Sequence, residues 1–116
     1  MDKLTQYQDA VQKVLQDYRD LRVSASIRKS EVEVETIFDT ERNHYQIVLV
    51  GWNDNRRTYG CVFHLDIKED KIWIQYNGSE VDVAQKLVDL GVPKQDIVLG
   101  FHAPYKRKYT GYALGG

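Results

Sequence analysis

Residues 57–76, RTYGCVFHLDIKEDKIWIQY, constrain the fold more than any other stretch, because two arms of alternating apolar and polar side chains flank a short charged turn. In the first arm Tyr59, Cys61, Phe63, Leu65 and Ile67 alternate with Thr58, Gly60, Val62, His64 and Asp66. A period of two places each set on one face of a strand. After Lys68, Glu69 and Asp70 the second arm repeats the pattern, with Ile72, Ile74 and Tyr76 set against Lys71, Trp73 and Gln75. This predicts a long β-hairpin with one apolar face, carrying Cys61, that a second layer must cover.

The rest of the chain extends or covers that hairpin. Leu4, Tyr7, Val11, Val14, Leu15, Tyr18 and Leu21 recur at spacings of three and four, the stripe of an amphipathic helix with Asp2 as its N-cap. A segment of short polar side chains over 23–30 releases the chain. Over 31–38, Glu31, Glu33 and Glu35 oppose Val32, Val34, Thr36 and Phe38, which reads as a half-exposed strand. Turn residues 39–43 lead to a more apolar, more central strand over 44–52, and Asn53, Asp54 and Asn55 turn into the hairpin. The shortest connections give a four-stranded antiparallel meander. Beyond the break at Asn77 and Gly78, Ser79 to Asp82 resemble a capping box, and Val81, Ala84, Leu87 and Val88 form the stripe of a second helix. Gly91 suits its C′ position, and Pro93 opens a further turn over 94–97. Residues 98–116 remain as a glycine-rich aromatic tail. The expected class is α+β: an N-terminal helix, the four-stranded meander, a C-terminal helix and the tail, as one domain over 1–116 with both helices on the apolar face.

Composition narrows the function. With 116 residues, 28% charged and 42% hydrophobic, the chain has the balance of a globular domain able to bury one core. A formal net charge of -1 excludes the global electrostatic footprint of a non-specific DNA-binding protein. A single cysteine permits neither an internal disulfide nor a thiolate metal cage, and the N-terminus has no continuous apolar run. A reducing cytoplasm is the expected compartment.

Few residues suggest chemistry. His64 and Asp66 share one side of a strand, a spacing that offers two metal ligands or a base with its orienting carboxylate, but a third converging group is not visible in the pattern. His44 and His102 join them only if the fold brings them near. Asp66, Glu69 and Lys71 carry the letters of a metal-dependent nuclease, at a hairpin tip where wet charges are ordinary. Ser24 and Ser26 lie between Arg22 and Arg28, a serine-rich loop that also has the letters of a nucleophile among phosphate-binding arginines. In the tail, Tyr105, Lys106, Arg107, Lys108 and Tyr109 set three cations between aromatics, able to stack on bases, to anchor a partner protein, or to pair with Glu31, Glu33 and Glu35. Arg56 and Arg57 flank a turn and join the tail as candidate contacts. No catalytic residue, metal or cofactor is expected.

The run TIFDTERNHYQIVLVGW, then YGCVFHLDIKEDKIWIQYNGSEVDVAQKLVDLGVPKQDIVLGFHAPYKRKYTGYALG, with the helical start MDKLTQYQDAVQKVL, resembles the XisI family, the cyanobacterial fdxN element excision controlling factors. The likeness spans nearly the whole chain. It implies an accessory role in excising a DNA element during heterocyst differentiation, alongside a separate site-specific recombinase and a companion factor, XisH. It carries over no catalytic residues. The leading expectation is therefore a non-enzymatic factor that binds an XisH-like protein. The alternatives are a direct DNA-binding module using Arg56, Arg57 and the tail cations, and a small metal-dependent hydrolase or nuclease centred on His64 and Asp66. Strand edges and the tyrosine-rich tail also allow a homodimer.

Overall fold

The computed structural model describes residues 2–24 and 31–115. Helix α1 (Lys3–Ser24) starts where Asp2 caps it, its carboxylate accepting from the Thr5 amide at 2.8 Å. Strands β1 (Glu31–Asp39), β2 (His44–Asn53), β3 (Arg56–Lys68) and β4 (Lys71–Asn77) follow as the expected meander, each antiparallel to the last. The β3–β4 turn has only Glu69 and Asp70 at its tip, both with positive φ, the geometry that matches the twist of the strands it joins.

Helix α2 (Val83–Asp89) begins later than the capping-box pattern implies. Ser79 instead closes a local turn: the Asn77 side chain accepts from both its amide and its hydroxyl, and the hydroxyl accepts from the Val81 amide at 3.0 Å. Asp82 is the true cap, accepting from the Gln85 amide at 3.1 Å. The C-terminus ends as expected at Gly91, whose φ of 99° suits a residue without Cβ. Its amide and that of Val92 donate to the carbonyls of Val88 and Leu87, which pairs Val92 with Leu87 in the core. After Pro93 a 3₁₀ turn (Lys94–Asp96) leads into a fifth strand, β5 (Ile97–Leu99).

That strand corrects the four-stranded expectation. β5 pairs parallel to β4, so the sheet is mixed with order β1-β2-β3-β4-β5, and α2 is the crossover between its last two strands. Its three residues carry no alternation because both faces are covered: Ile97 joins the main core and Val98 a cluster on the opposite face. The tail is also partly structured. A 3₁₀ helix (Pro104–Tyr109) precedes a bridge in which the Ala113 amide donates to the Ile97 carbonyl at 2.8 Å.

Both helices pack on one face of the sheet. Tyr7, Ala10, Val11, Val14 and Leu15 of α1 meet Tyr45, Ile47, Phe63, Leu65, Ile67, Ile72 and Ile74, with Val83, Ala84 and Leu87 of α2 completing the core. Tyr18 lies edge-on to Phe63 with ring centroids 4.8 Å apart. Leu4 and Leu21, expected in the stripe, are 44% and 66% exposed near the two ends of a helix about 33 Å long. Tyr7 donates to the Asp96 carboxylate, which Lys3 also reaches at 3.0 Å, tying α1 to the turn before β5.

Two bulges change which residues face the core. Between β2 and β3, Ile47 pairs with Phe63 but Val48 with Cys61, so Val62 is an inserted residue. One extra residue reverses every side chain beyond it. Val62 therefore packs toward the core, whereas Tyr59 is 72% exposed and Cys61 is exposed too. The expectation that both lie on the apolar face with Phe63 fails for this reason. Between β3 and β4 the register shifts again beyond His64, inserting Gln75 and turning Tyr76, 49% exposed, away from the core.

Phe63→Ala is expected to destabilise the fold by about 3–5 kcal/mol in chemical denaturation. Tyr59→Ser, on the reversed segment, is expected to change it by no more than about 0.5 kcal/mol. Equal losses at the two positions would contradict the face reversal.

Asp96 supplies a pH dependence. Burial raises its pKa, but the hydrogen bonds from Tyr7 and Lys3 and the charges of Lys3 and Lys71 outweigh it, and the net shift is downward. A carboxyl with a depressed folded-state pKa stabilises the fold above its unfolded pKa, about 3.9, and loses that contribution as pH falls through the lower folded value. Asp96→Asn is expected to make the stability curve shallower in that acidic window, measured by urea unfolding from pH 6 down to about pH 3.

Candidate functional site

The face of the sheet opposite the helices is covered only in part. Beside β4 and β5, Trp73, Val98 and Ala113 form a small apolar cluster, with Trp73 only 7% exposed. A Cβ on Gly115, which has a φ of 82°, would stand 2.7 Å from the Trp73 ring, so the tail lies directly on the indole. Lys68 sits 4.1 Å from the ring centroid and Arg107 5.2 Å, bracketing the indole with cations.

Arg107 is thereby committed within the chain. Its Nε donates to the His102 carbonyl at 3.1 Å and its Nη1 to the Leu114 carbonyl at 3.4 Å. Its neighbours differ. Lys106 and Lys108 are exposed, each lying over the adjacent tyrosine, Tyr105 or Tyr109, and those rings are 70% and 78% exposed. Leu99, His102, Tyr105, Lys106, Tyr109 and Thr110 line one depression beside the tail. Pairing of the tail cations with Glu31, Glu33 and Glu35 is ruled out by topology: β1 and β5 are the opposite edges of the sheet, about 19 Å apart at four strand spacings.

Across β1, β2 and the first half of β3 the same face is open. Register places Glu31, Glu33 and Glu35 beside Trp52, Val50 and Val48, these beside Arg57, Tyr59 and Cys61, and Ile37 beside Gln46. The Arg57 guanidinium lies 5.6 Å from the Trp52 ring and 5.9 Å from the Tyr59 ring. Trp52 is 47% and Ile37 48% exposed. Arg56, next to the turn, is exposed as well.

Where β2, β3 and β4 meet on this face, three side chains converge. His44 and Asp66 are cross-strand partners, and the register also pairs Gln46 with His64. His44 Nδ1 and His64 Nε2 approach the same oxygen, Asp66 Oδ1, at 2.8 and 2.9 Å. The second oxygen, Oδ2, accepts from Gln75 Nε2 at 3.2 Å, and the Gln46 amide lies 3.4 Å from His64 Nδ1. Burial raises the Asp66 pKa, but the hydrogen bonds from both histidines, the charge of His64 and the Gln75 amide outweigh it and hold the carboxyl below its ordinary value. Among the described residues this is the one group of three His, Cys, Asp or Glu side chains close enough to share a metal ion.

The fold thus supplies the third group that the His64 and Asp66 spacing lacked. His44 arrives through strand register, and the insertion at Val62 is what brings it opposite Asp66: the register set by the Asn53–Arg56 turn alone would pair it with Leu65. His102 lies elsewhere, its ring 4.6 Å from that of Phe101. The nuclease-like letters do not converge: Asp66 is held by His44, His64 and Gln75, whereas Glu69 and Asp70 form the exposed turn. Ser24 donates to the Leu21 carbonyl and Arg22 to the Tyr18 hydroxyl, and the companion residues Ser26 and Arg28 lie outside the described residues. A cleft of about 80 Å³ between α1 and α2, lined by Val14, Tyr18, Phe63 and Val81 among others, is far below the size of a nucleotide site.

These features define a small α+β domain that shields one sheet face with helices and offers part of the other for contact. The chain belongs to the XisI family: the family described as XisI protein matches residues 1–114. A XisI-like protein from Anabaena variabilis ATCC 29413 is 50% identical, with a TM-score of 0.84 over 95% of this chain and 97% of its own. The fdxN element excision controlling factor XisI from the same organism is 33% identical, with a TM-score of 0.83 over 98% of this chain and all of its own (100%). No curated protein matches.

The two roles within the basic run are separable by mutation. Arg107→Ala is expected to lower stability by about 1–2 kcal/mol through loss of the stack and the carbonyl contacts. Lys106→Ala and Lys108→Ala should each stay within about 0.5 kcal/mol, as read by thermal unfolding of the three variants side by side.

Proposed function

We propose that this chain is a non-enzymatic accessory factor in the excision of a DNA element, acting in the cytoplasm by binding an XisH-like companion protein through its open sheet face. Family membership and the likeness to a protein named as an excision controlling factor support the excision role. The link to heterocyst differentiation and to a separate recombinase rests on the same family resemblance.

The observation that carries the protein-binding reading is the face itself. Trp52, Arg57 and Tyr59 are exposed together, and Trp, Tyr and Arg are the residue types that dominate protein interfaces. Glu31, Glu33 and Glu35 stand on the same face and are exposed. Three carboxylates repel phosphate, so the face suits a protein with basic side chains better than it suits DNA. Tyr105, Lys106, Lys108 and Tyr109 offer a second, smaller contact at the far edge, and with Arg107 engaged internally they are a weak phosphate patch.

The test is co-purification with the XisH-like protein of the same host. Wild type is expected to form a stable complex, and the double variant Trp52→Ala/Tyr59→Ala to lose at least about tenfold in affinity while keeping its circular dichroism spectrum. Lys106→Ala/Lys108→Ala measures the contribution of the tail. Absence of a complex, together with duplex DNA binding whose salt slope falls by about 2 in the tail double variant, would overturn this reading in favour of the DNA-binding module.

A further inference from the structure

We propose that His44, His64 and Asp66 form a binding site for a first-row divalent metal ion of the kind that prefers imidazole, with Zn²⁺ as the reference ion. This inference is independent of the companion-protein reading and stands on the geometry of three side chains and their two supports.

Two imidazole nitrogens from different strands are aimed at one carboxylate oxygen, within 2.9 Å of it. A carboxylate oxygen has two lone pairs and can take both rings; what goes beyond an ion pair is that ligating atoms of two histidines and an aspartate, brought from two strands, all lie within 4.8 Å of one another. The two His–Asp separations suit coordination, and with all three ligand atoms within 4.8 Å of one another the two rings need only close toward each other on a bound ion. Ligands bound at about 2.05 Å stand about 2.9 Å apart when they occupy adjacent corners of an octahedron, and about 3.3 Å apart on a tetrahedron. Two histidines and one carboxylate on a single side of an ion leave its remaining positions open, a donor set used for Zn²⁺, Fe²⁺ and related ions rather than for Ca²⁺ or Mg²⁺.

The supports are those that a metal site needs. Gln75 Nε2 holds the second oxygen, Asp66 Oδ2, and thereby aims Oδ1 at the histidines. Gln46 faces His64 Nδ1, and an amide presents either an oxygen or an N–H after rotation by 180°. It therefore accommodates the tautomer with hydrogen on Nδ1, the form in which Nε2 is free to bind an ion. Access is open: the side chains of His44 and His64 are 55% and 34% exposed, while Asp66 is 14% exposed and held in place. The strands fix the arrangement, since His44 and Asp66 are paired residues on two adjacent interior strands of the sheet.

The experiment is a titration of Zn²⁺ alone against a chromogenic chelator at neutral pH, on the full chain. One ion per chain with micromolar or tighter affinity is expected. Asp66→Asn and His44→Ala should each weaken binding more than tenfold, Gln75→Ala by roughly 10- to 100-fold through loss of ligand orientation, and His102→Ala not at all. Co²⁺ added to wild type should give the visible d–d absorption of a protein-bound ion, a readout that needs no variant to fold. The inference is overturned if wild type takes up no ion at about 100 μM Zn²⁺, on the order of a hundredfold above the expected dissociation constant. It is likewise overturned if Asp66→Asn binds as tightly as wild type, or if Co²⁺ remains spectroscopically free. The cluster is then a hydrogen-bonded strand clamp and nothing more.

Discussion

The register of β3 against its two neighbours is the constraint on which the rest of this molecule depends. One residue inserted in β3 opposite β2, and another inserted in β4 opposite β3, divide the central hairpin into segments of opposite phase. In the turn-proximal segment Phe63, Leu65 and Ile67 face the helices, and His64 and Asp66 face away. In the distal segment the odd-numbered residues, Tyr59 and Cys61, face away instead. Without the first bulge Tyr59 would be directed beneath the helical layer, and the sandwich of Arg57 between Trp52 and Tyr59 would not exist. The same insertions strengthen the local twist of the strands, and they separate the histidine–aspartate cluster from the aromatic patch along one continuous face.

Much of this was legible from residue pattern alone, for reasons that differ by element. The meander was readable because its turns are short and its strands are half buried, which is when alternation is strongest. β1 is the clearest case, with glutamates out and Val32, Val34, Thr36 and Phe38 in. β5 was not readable because Ile97, Val98 and Leu99 are covered on both faces, and a short uniformly apolar run carries no period. The bulges were invisible for a related reason: Val62 and Gln75 have no chemistry that marks an insertion, and only the pairing with neighbouring strands reveals it. The start of α2 was misplaced because Ser79 satisfies a turn with the same hydroxyl that would have capped a helix.

The functional readings follow the same division. The basic run of the tail reads in sequence as three equivalent cations, yet its middle member is withdrawn into a stack on Trp73 and two carbonyl contacts. Linear order cannot distinguish Arg107 from the lysines on either side, because that distinction arises from which side of a 3₁₀ helix meets the sheet. The cluster at Asp66 shows the converse. Two of its members were visible as neighbours on one strand, and the third, His44, became a partner only through the register shift at Val62, which residue pattern does not mark. Sequence spacing found the pair, and topology completed the set.

The outer strand carries a further consequence. β1 closes one side of the sheet, whereas the other side ends in β5, whose far flank is occupied by the Ala113 bridge. Growth of the sheet into a second identical molecule would therefore proceed through β1. Laying two copies of β1 antiparallel sets one ladder of Glu31, Glu33 and Glu35 beside another, and like charges across paired strands are destabilising. The glutamate ladder thus acts against pairing of two copies edge to edge through β1.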